Sequence, residues 1–229
     1  ELDGNIDEET SYEIKIQNVN NDKYLKIHDI KEYTPLIDSE STLTSFIYYE
    51  KNIDEDTNFD SSIKLYEDLS KEDSDKYQYI FPDFNFTKKI DLENSYNGDF
   101  QFLSSGFQKV YETNKYEALI NNDFNFNSYD FISSKGIVSD YSFLLKNYNT
   151  YSENSSVYEN KNDHEIFGTF LFKSELPLKK DNQKTKDFLK PIFQLRLSPT
   201  NGKNISNSNT RLEFDNLFSA NRIGRSDMV

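Results

Sequence analysis

Residues 116–126 read Tyr116-Glu117-Ala118-Leu119-Ile120-Asn121-Asn122-Asp123-Phe124-Asn125-Phe126. Tyr116, Ala118, Ile120, Phe124 and Phe126 point one way, while Glu117, Asn121, Asp123, Asn125 and the following Asn127 point the other. Successive side chains of an extended chain leave opposite faces, so a period of two with one apolar side marks a one-sided β-strand. The same alternation sets Tyr12-Ile14-Ile16 against Glu13-Lys15-Gln17 and Ile80-Pro82-Phe84-Phe86 against Asp83-Asn85-Thr87. It sets Leu189-Phe193-Leu195-Leu197 against Lys190-Gln194-Arg196. Weaker alternation predicts further strands over 23–30, 41–50, 61–69, 98–107, 139–148, 164–174 and 209–216.

Strand thus follows strand, with Asn-, Ser- and Asp-rich stretches such as 147–154 between them. No helical spacing of apolar residues supplies the crossovers a parallel α/β sheet needs, so the chain reads as all-β. Several segments are roughly 9 to 14 residues long, beyond the ~5–6 of ordinary globular strands and near the ~9–11 of a membrane-crossing one. With only 7 Gly and 5 Pro among 229 residues, few tight turns and mostly long polar loops are expected. These features favour a large open sheet or an up-and-down barrel, and the expectation is an antiparallel transmembrane β-barrel with long polar loops, whose Asn, Gln, Lys, Glu and Ser face would line a hydrated lumen. A soluble β-sandwich, a carbohydrate-binding module with exposed Tyr as stacking platforms, shows the same alternation and is the alternative. No fixed repeat suggests a propeller or solenoid.

The composition narrows the function. There is no Cys and no Trp, yet 16 Tyr and 19 Phe make the chain 15% aromatic when all hydrophobic residues reach only 35%. Disulfides, thiolate metal sites and cysteine nucleophiles are excluded. The formal charge of −14 falls wholly in residues 1–75, which hold 21 Asp or Glu against 7 Lys. An acidic chain gains nothing from counterion release on a phosphate backbone, so nucleic acid is not an expected partner. All four arginines, Arg196, Arg211, Arg222 and Arg225, lie near the C-terminal end. The densest apolar run, Ile166 to Phe172, is far short of the ~18–20 residues of a transmembrane helix. The sequence opens at Glu1 and stops at Val229, the expectation being a piece of a longer polypeptide.

Catalytic motifs are missing. The seven glycines are isolated from one another, which leaves no nucleotide-binding loop and no nucleophile elbow. His28 and His164 read as a lone strand histidine and a lone loop-to-strand histidine. Asp54-Glu55-Asp56-Thr57-Asn58 begins like a calcium loop, but Phe59 replaces the required Gly and Leu65 the bidentate Glu. With 40 acidic residues no carboxylate pair stands out, although the acidic loops offer weak divalent-cation binding. No catalytic, cofactor-binding or metal residues are assigned, and the expected role is non-enzymatic; a hydrolase on a β scaffold is the weakest reading.

The C-terminal forty residues are distinctive. Leu189, Pro191, Gln194 and Pro199 form an L-x-P-x-x-Q-x-x-x-x-P strand, followed by Asp215-Asn216-Leu217-Phe218-Ser219-x-Asn221-Arg222-x-Gly224-x-x-Asp227. This stretch resembles the outer-membrane lipopolysaccharide-assembly family LptD (also called OstA or Imp). Tyr77 to Phe86 and Gly98 to Leu119 also fit, so the likeness covers most of the chain with its specific part at the end. The resemblance implies that residues 1–229 are N-terminal to middle strands of one outer-membrane barrel, with the periplasmic jellyroll domain and closing strands absent. It implies lipopolysaccharide as cargo, outer-membrane lipid, an LptE-like plug lipoprotein, and a periplasmic transport bridge met through the missing N-terminal domain. It makes Asp215, Asn216, Leu217, Phe218, Asn221, Arg222, Gly224 and Asp227 a family-signature loop, structural or lumenal. The disulfides usual in the family have no cysteines here.

Overall fold

The computed structural model describes residues 1–30, 37, 39–91, 97–181 and 185–199. The signature loop from Asp215 to Asp227 and the strand expected over 209–216 lie outside the described residues. What is described is an antiparallel all-β chain. Its strands are β1 (Leu2–Asp7), β2 (Thr10–Lys15), β3 (Thr42–Asp54), β4 (Thr57–Asp68), β5 (Tyr77–Asp91), β6 (Gly98–Tyr111), β7 (Lys115–Ser128), β8 (Phe131–Ile132), β9 (Val138–Glu153), β10 (Asn162–Glu175), β11 (Leu178–Asp181), β12 (Lys186–Leu189) and β13 (Ile192–Leu197). The main sheet runs β1-β2-β3-β4-β5-β6-β7-β9-β10-β13, with β8 paired to β9 and a separate β11-β12 pair. Among the described residues no pairing joins β1 to β13. The chain forms two compact units, Glu1–Lys88 with Leu103–Asn121 and Tyr148–His164, and Lys89–Phe102 with Asn122–Asn147 and Glu165–Val229.

The long strands are as long as the alternation promised or longer. β7 has 14 residues, β5 15 and β9 16. In the first unit, β3 and β4 pair from Thr42↔Asp68 to Asp54↔Thr57. β5 departs from a single phase. Ser62 pairs with Asp83 but Lys64 with Ile80, so Phe81 and Pro82 face Ile63 alone in a bulge. A proline in an interior strand lacks a ladder donor, and the bulge is where a strand tolerates it. The consequence corrects the sequence reading. Ile80, opposite Lys64, lies on the other face from Phe84, which is opposite Ser61.

Three other expectations need correction. Residues 23–30 form no strand; Tyr24–Ile27 is a single helical turn, α1. The Asn21 side chain accepts the Lys23 N–H at 2.9 Å and the Asn21 carbonyl accepts that of Tyr24 at 3.0 Å, starting the turn. It buries Leu25 against Leu43 and Leu69, with Val19, Ile30 and Ile37 around them. Burying one leucine this way is worth about 2 kcal/mol, more than local β-preference offers. His28 is therefore the residue closing α1, its ring 4.6 Å from that of Tyr24. Next, the stretch 189–197 is two strands, because Lys190 and Pro191 separate β12 from β13.

Finally, not all the loops are long. Glu8-Glu9 alone joins β1 to β2, and Glu55-Asp56 joins β3 to β4. These turns use aspartate in place of glycine. Asp7 accepts the Glu9 N–H at 3.0 Å; Asp54 accepts the Asp56 N–H and the Thr57 hydroxyl, each at 2.9 Å. Those bonds hold both carboxyls below their ordinary range, the Thr10 and Thr57 side chains contributing most. Glycine matters elsewhere, at Gly106 on β6. A Cβ there would stand 2.5 Å from the Leu119 carbonyl oxygen and 2.8 Å from the Phe84 ring, so the bare backbone lets that ring lie across the strand.

Candidate functional site

The faces of the strands carry the functional information. On β7, Glu117, Asn121 and Asp123 are buried, while Ile120 and Phe124, on the opposite side, are 48% and 47% exposed. On β9, Lys146, Thr150 and Ser152 are buried, while Phe143 and Leu145 are exposed. On β10, Asp163, Glu165 and Thr169 are buried and Ile166 is exposed. A soluble sheet packed on a core has the opposite sense, apolar in and polar out. Here the polar side is turned from solvent, together with Leu119, Leu144 and Tyr148 on the same strand faces.

Buried polar groups must find partners or carry a large desolvation cost. In the first unit part-buried and exposed polar side chains form a ladder across β3, β4 and β5. Asn58 Nδ2 donates to Asn52 Oδ1 at 2.7 Å and to Glu50 Oε1 at 3.4 Å, and Asn85 Nδ2 donates to Asp60 Oδ2 at 2.8 Å. Lys64 Nζ reaches Asp83 Oδ2 at 2.9 Å. Further along the same unit, Glu117 is a hub. Its carboxylate accepts the Tyr111 hydroxyl at 2.7 Å and the Ser155 hydroxyl at 2.5 Å, and Lys109 Nζ stands 3.7 Å away. Ser155 belongs to the loop between β9 and β10. The loop also ties down through Ser152 Oγ to the Glu159 carbonyl at 2.8 Å and buries Tyr158.

In the second unit Lys146 Nζ and Asp123 Oδ2 form an ion pair at 2.8 Å, both side chains under one-tenth exposed. Arg196 Nη2 donates to Thr169 Oγ1 at 3.3 Å, whose hydroxyl lies 3.0 Å from that of Ser198. On the exposed side of the same unit, aromatic rings gather. Phe126 lies 4.7 Å from Phe100 and 5.6 Å from Tyr141, which stacks on Phe131 at 6.0 Å and meets Phe170 at 6.2 Å. Where that side carries amides they bond each other, Asn122 Nδ2 to Asn147 Oδ1 at 3.3 Å.

No protein-family model and no curated protein matches the chain. What the arrangement can do therefore has to be argued from its own residues.

The acidic loops are engaged in structure. Among the described residues no group of three or more His, Asp or Glu gathers to hold a metal ion. Lys76 Nζ bridges Asp22 at 2.8 Å and Glu67 at 3.1 Å, and these bonds raise its pKa well above the usual lysine range. Glu112, in the turn between β6 and β7, meets Lys115 at 2.5 Å and Lys71 at 3.0 Å. The bond from Lys115, then that from Lys71, lowers its carboxyl to about 2. A cleft of about 270 Å³ beside these residues is lined by Tyr66, Lys71, Asp75, Lys76, Tyr111 and Glu112.

The sequence reading singled out neither Glu117 as a hub nor the Asp123–Lys146 pair. The available signal was a set of charged residues in phase on the polar side of long strands. His164, on β10, shares a 2.8 Å hydrogen bond between its Nδ1 and Asn149 Oδ1. Gln194 of the signature strand lies on β13 opposite Lys173, and Leu195 and Leu197 beside it are exposed.

Proposed function

We propose that the chain is part of an outer-membrane β-barrel of the LptD family, a non-enzymatic translocon that inserts lipopolysaccharide into the outer leaflet. The observation that carries the proposal is the sense of the strand faces. Buried Glu117, Asn121, Asp123, Lys146 and Thr150 alternate with exposed Ile120, Phe124, Phe143 and Leu145. Lipid is the solvent in which that sense is favourable, since apolar side chains face acyl tails and polar ones a hydrated or plugged interior. Strands of 12 to 16 residues from β3 to β7 and at β9 and β10 support it, being long enough to cross with a tilt. So does the ring cluster around Tyr141, the kind of aromatic grouping that marks a barrel's lipid interface.

In this reading acyl chains stay in the bilayer while the sugars of lipopolysaccharide pass over the polar side. Amides and carboxylates such as Asn58, Asp60 and Asn85 offer exchangeable hydrogen bonds there, each weak enough to release a sliding sugar. An LptE-like lipoprotein would occupy the lumen, and the transport bridge would deliver cargo through the family's periplasmic domain. The signature loop from Asp215 to Asp227 would fix barrel geometry or the plug contact.

The test is to refold the 229-residue chain with and without detergent and compare circular dichroism and size-exclusion profiles. The barrel reading expects aggregation in plain buffer and β-structure gained in detergent. A monodisperse, β-rich chain in plain buffer would overturn it and return the soluble carbohydrate-binding sandwich.

A further inference from the structure

β10 and β13 pair from Phe170↔Leu197 to Glu175↔Ile192, and the Leu176 N–H then donates to the Pro191 carbonyl at 3.1 Å. Past that point Pro177 has no donor to give, and the chain continues as the separate β11-β12 hairpin, from Leu178↔Leu189 to Asp181↔Lys186. Every residue of the two strands is exposed. From Leu178 to Lys190 the sequence holds five Lys and two Asp. Lys179 pairs with Asp181 at 2.7 Å and Lys190 with Glu175 of β10 at 2.8 Å, which leaves a small basic excess on a chain whose formal charge is −14.

The hairpin is graded along its length. Its base is apolar, with Leu178 paired to Leu189 and with Phe188 73% and Leu189 65% exposed. Its far end is charged, with Lys180 opposite Asp187 and Asp181 opposite Lys186. The apolar base continues the exposed Phe193, Leu195 and Leu197 of β13. In the same unit the rings around Tyr141 gather on the exposed side. Apolar stems below lysine heads match the boundary between acyl chains and anionic headgroups.

We infer that the β11-β12 hairpin is a lipid-binding element that lays Phe188 and Leu189 into the membrane interface and holds anionic headgroup phosphates with Lys180 and Lys186. The inference deepens the proposed function, on which its position beside an apolar band rests. An acidic chain is repelled as a whole by an anionic surface, so a preference for anionic lipid must come from a local basic element.

The experiment uses the full chain with vesicles of neutral phosphatidylcholine, and of phosphatidylcholine mixed with phosphatidylglycerol, read by co-flotation. Wild type binds the anionic vesicles more tightly, and the excess fades with added salt. Lys180→Gln with Lys186→Gln weakens anionic binding about fivefold per lysine, or roughly thirtyfold together, and leaves neutral vesicles unaffected. Because the chain has no Trp, Phe188→Trp adds a single tryptophan, which can be excited apart from the 16 Tyr. Its emission shifts to the blue with anionic vesicles. Equal binding by the double variant, or no shift, overturns the inference. So does binding of a poly-glutamate peptide that the double variant loses while vesicle binding is unchanged, which assigns the hairpin to an acidic protein. Membrane insertion without any dependence on lipid charge would end the inference and keep the barrel. Charge-dependent flotation of a chain that never inserts would keep the inference and end the barrel.

Discussion

Leu25, Leu43 and Leu69 meet beneath α1 as apolar side chains meet in a water-soluble domain, whereas β7 and β9 turn Glu117, Asp123 and Lys146 inward and leave Ile120, Phe124 and Leu145 exposed. Both regions bury surface, but with opposite polarity. Beneath α1 the gain comes from removing apolar area from water. Along the long strands buried ion pairs and hydrogen bonds, which in water scarcely repay their desolvation, stand beside buried Leu119, Leu144 and Tyr148, while much apolar area is left outside. Under the proposed barrel, the loops that cap the sheet would answer to water and the strands to lipid.

The comparison breaks most sharply at the Asp123–Lys146 pair. Asp123→Ala removes the carboxylate 2.8 Å from a buried ammonium and is expected to cost about 3–5 kcal/mol, whereas replacing both partners with apolar residues of like volume costs far less. Urea titration of the detergent-refolded chain measures both. Next comes the leucine cluster. Leu43→Ala leaves a cavity and should cost about 3 kcal/mol, read as faster amide exchange in α1 with the strands unaffected. An equal loss of protection along β7 and β9 would mean that the two regions share one core. Phe124→Lys tests the exposed side and costs about 2 kcal/mol in a bilayer but almost nothing in water. Its stability in vesicles against that in buffer separates the two solvents directly. The smallest effect belongs to Glu112. Its carboxyl is lowered from an ordinary 4.5 to about 2, so what it contributes is present above 4.5 and is lost as pH falls toward about 2. Amide exchange in the 112–115 turn should rise over that window, and Glu112→Gln should flatten the response.

How much of this was legible in the sequence varies with the physics in each place. The alternation at Tyr116–Phe126 became β7 because each side of that strand meets one environment over its length. Two faces, one polar and one apolar, could be read from it; which of them is buried could not, since alternation is blind to the solvent. Pro82 was counted in phase with Phe84 because a bulge leaves no mark in a period-two pattern beyond the proline itself. Lys23–Ile30 looked extended because Leu25 and Ile27 alternate with Lys26 and His28. Burial of Leu25 against residues 18 and more positions away decided for the helical turn. Glycine scarcity suggested long loops, but Asp7 and Asp54 close two-residue turns through their own carboxylates. Of the candidate residues, Asp215 to Asp227 lie outside the described residues, and the Glu117 hub escaped notice because its partners Tyr111 and Ser155 come from the end of β6 and from the loop after β9.

The order of the main sheet follows the order of the chain, each strand lying beside the one before it apart from the short excursions of β8 and the β11-β12 hairpin. Contacts of that kind close small loops, and the entropy of closing a loop grows with its length. Such a sheet has low contact order and can be assembled one hairpin after another, with the aspartate turns at Glu8-Glu9 and Glu55-Asp56 as places to begin. Growth from the N-terminal hairpins outward would leave a single advancing edge at every stage, so a folding catalyst would need to guard one strand at a time.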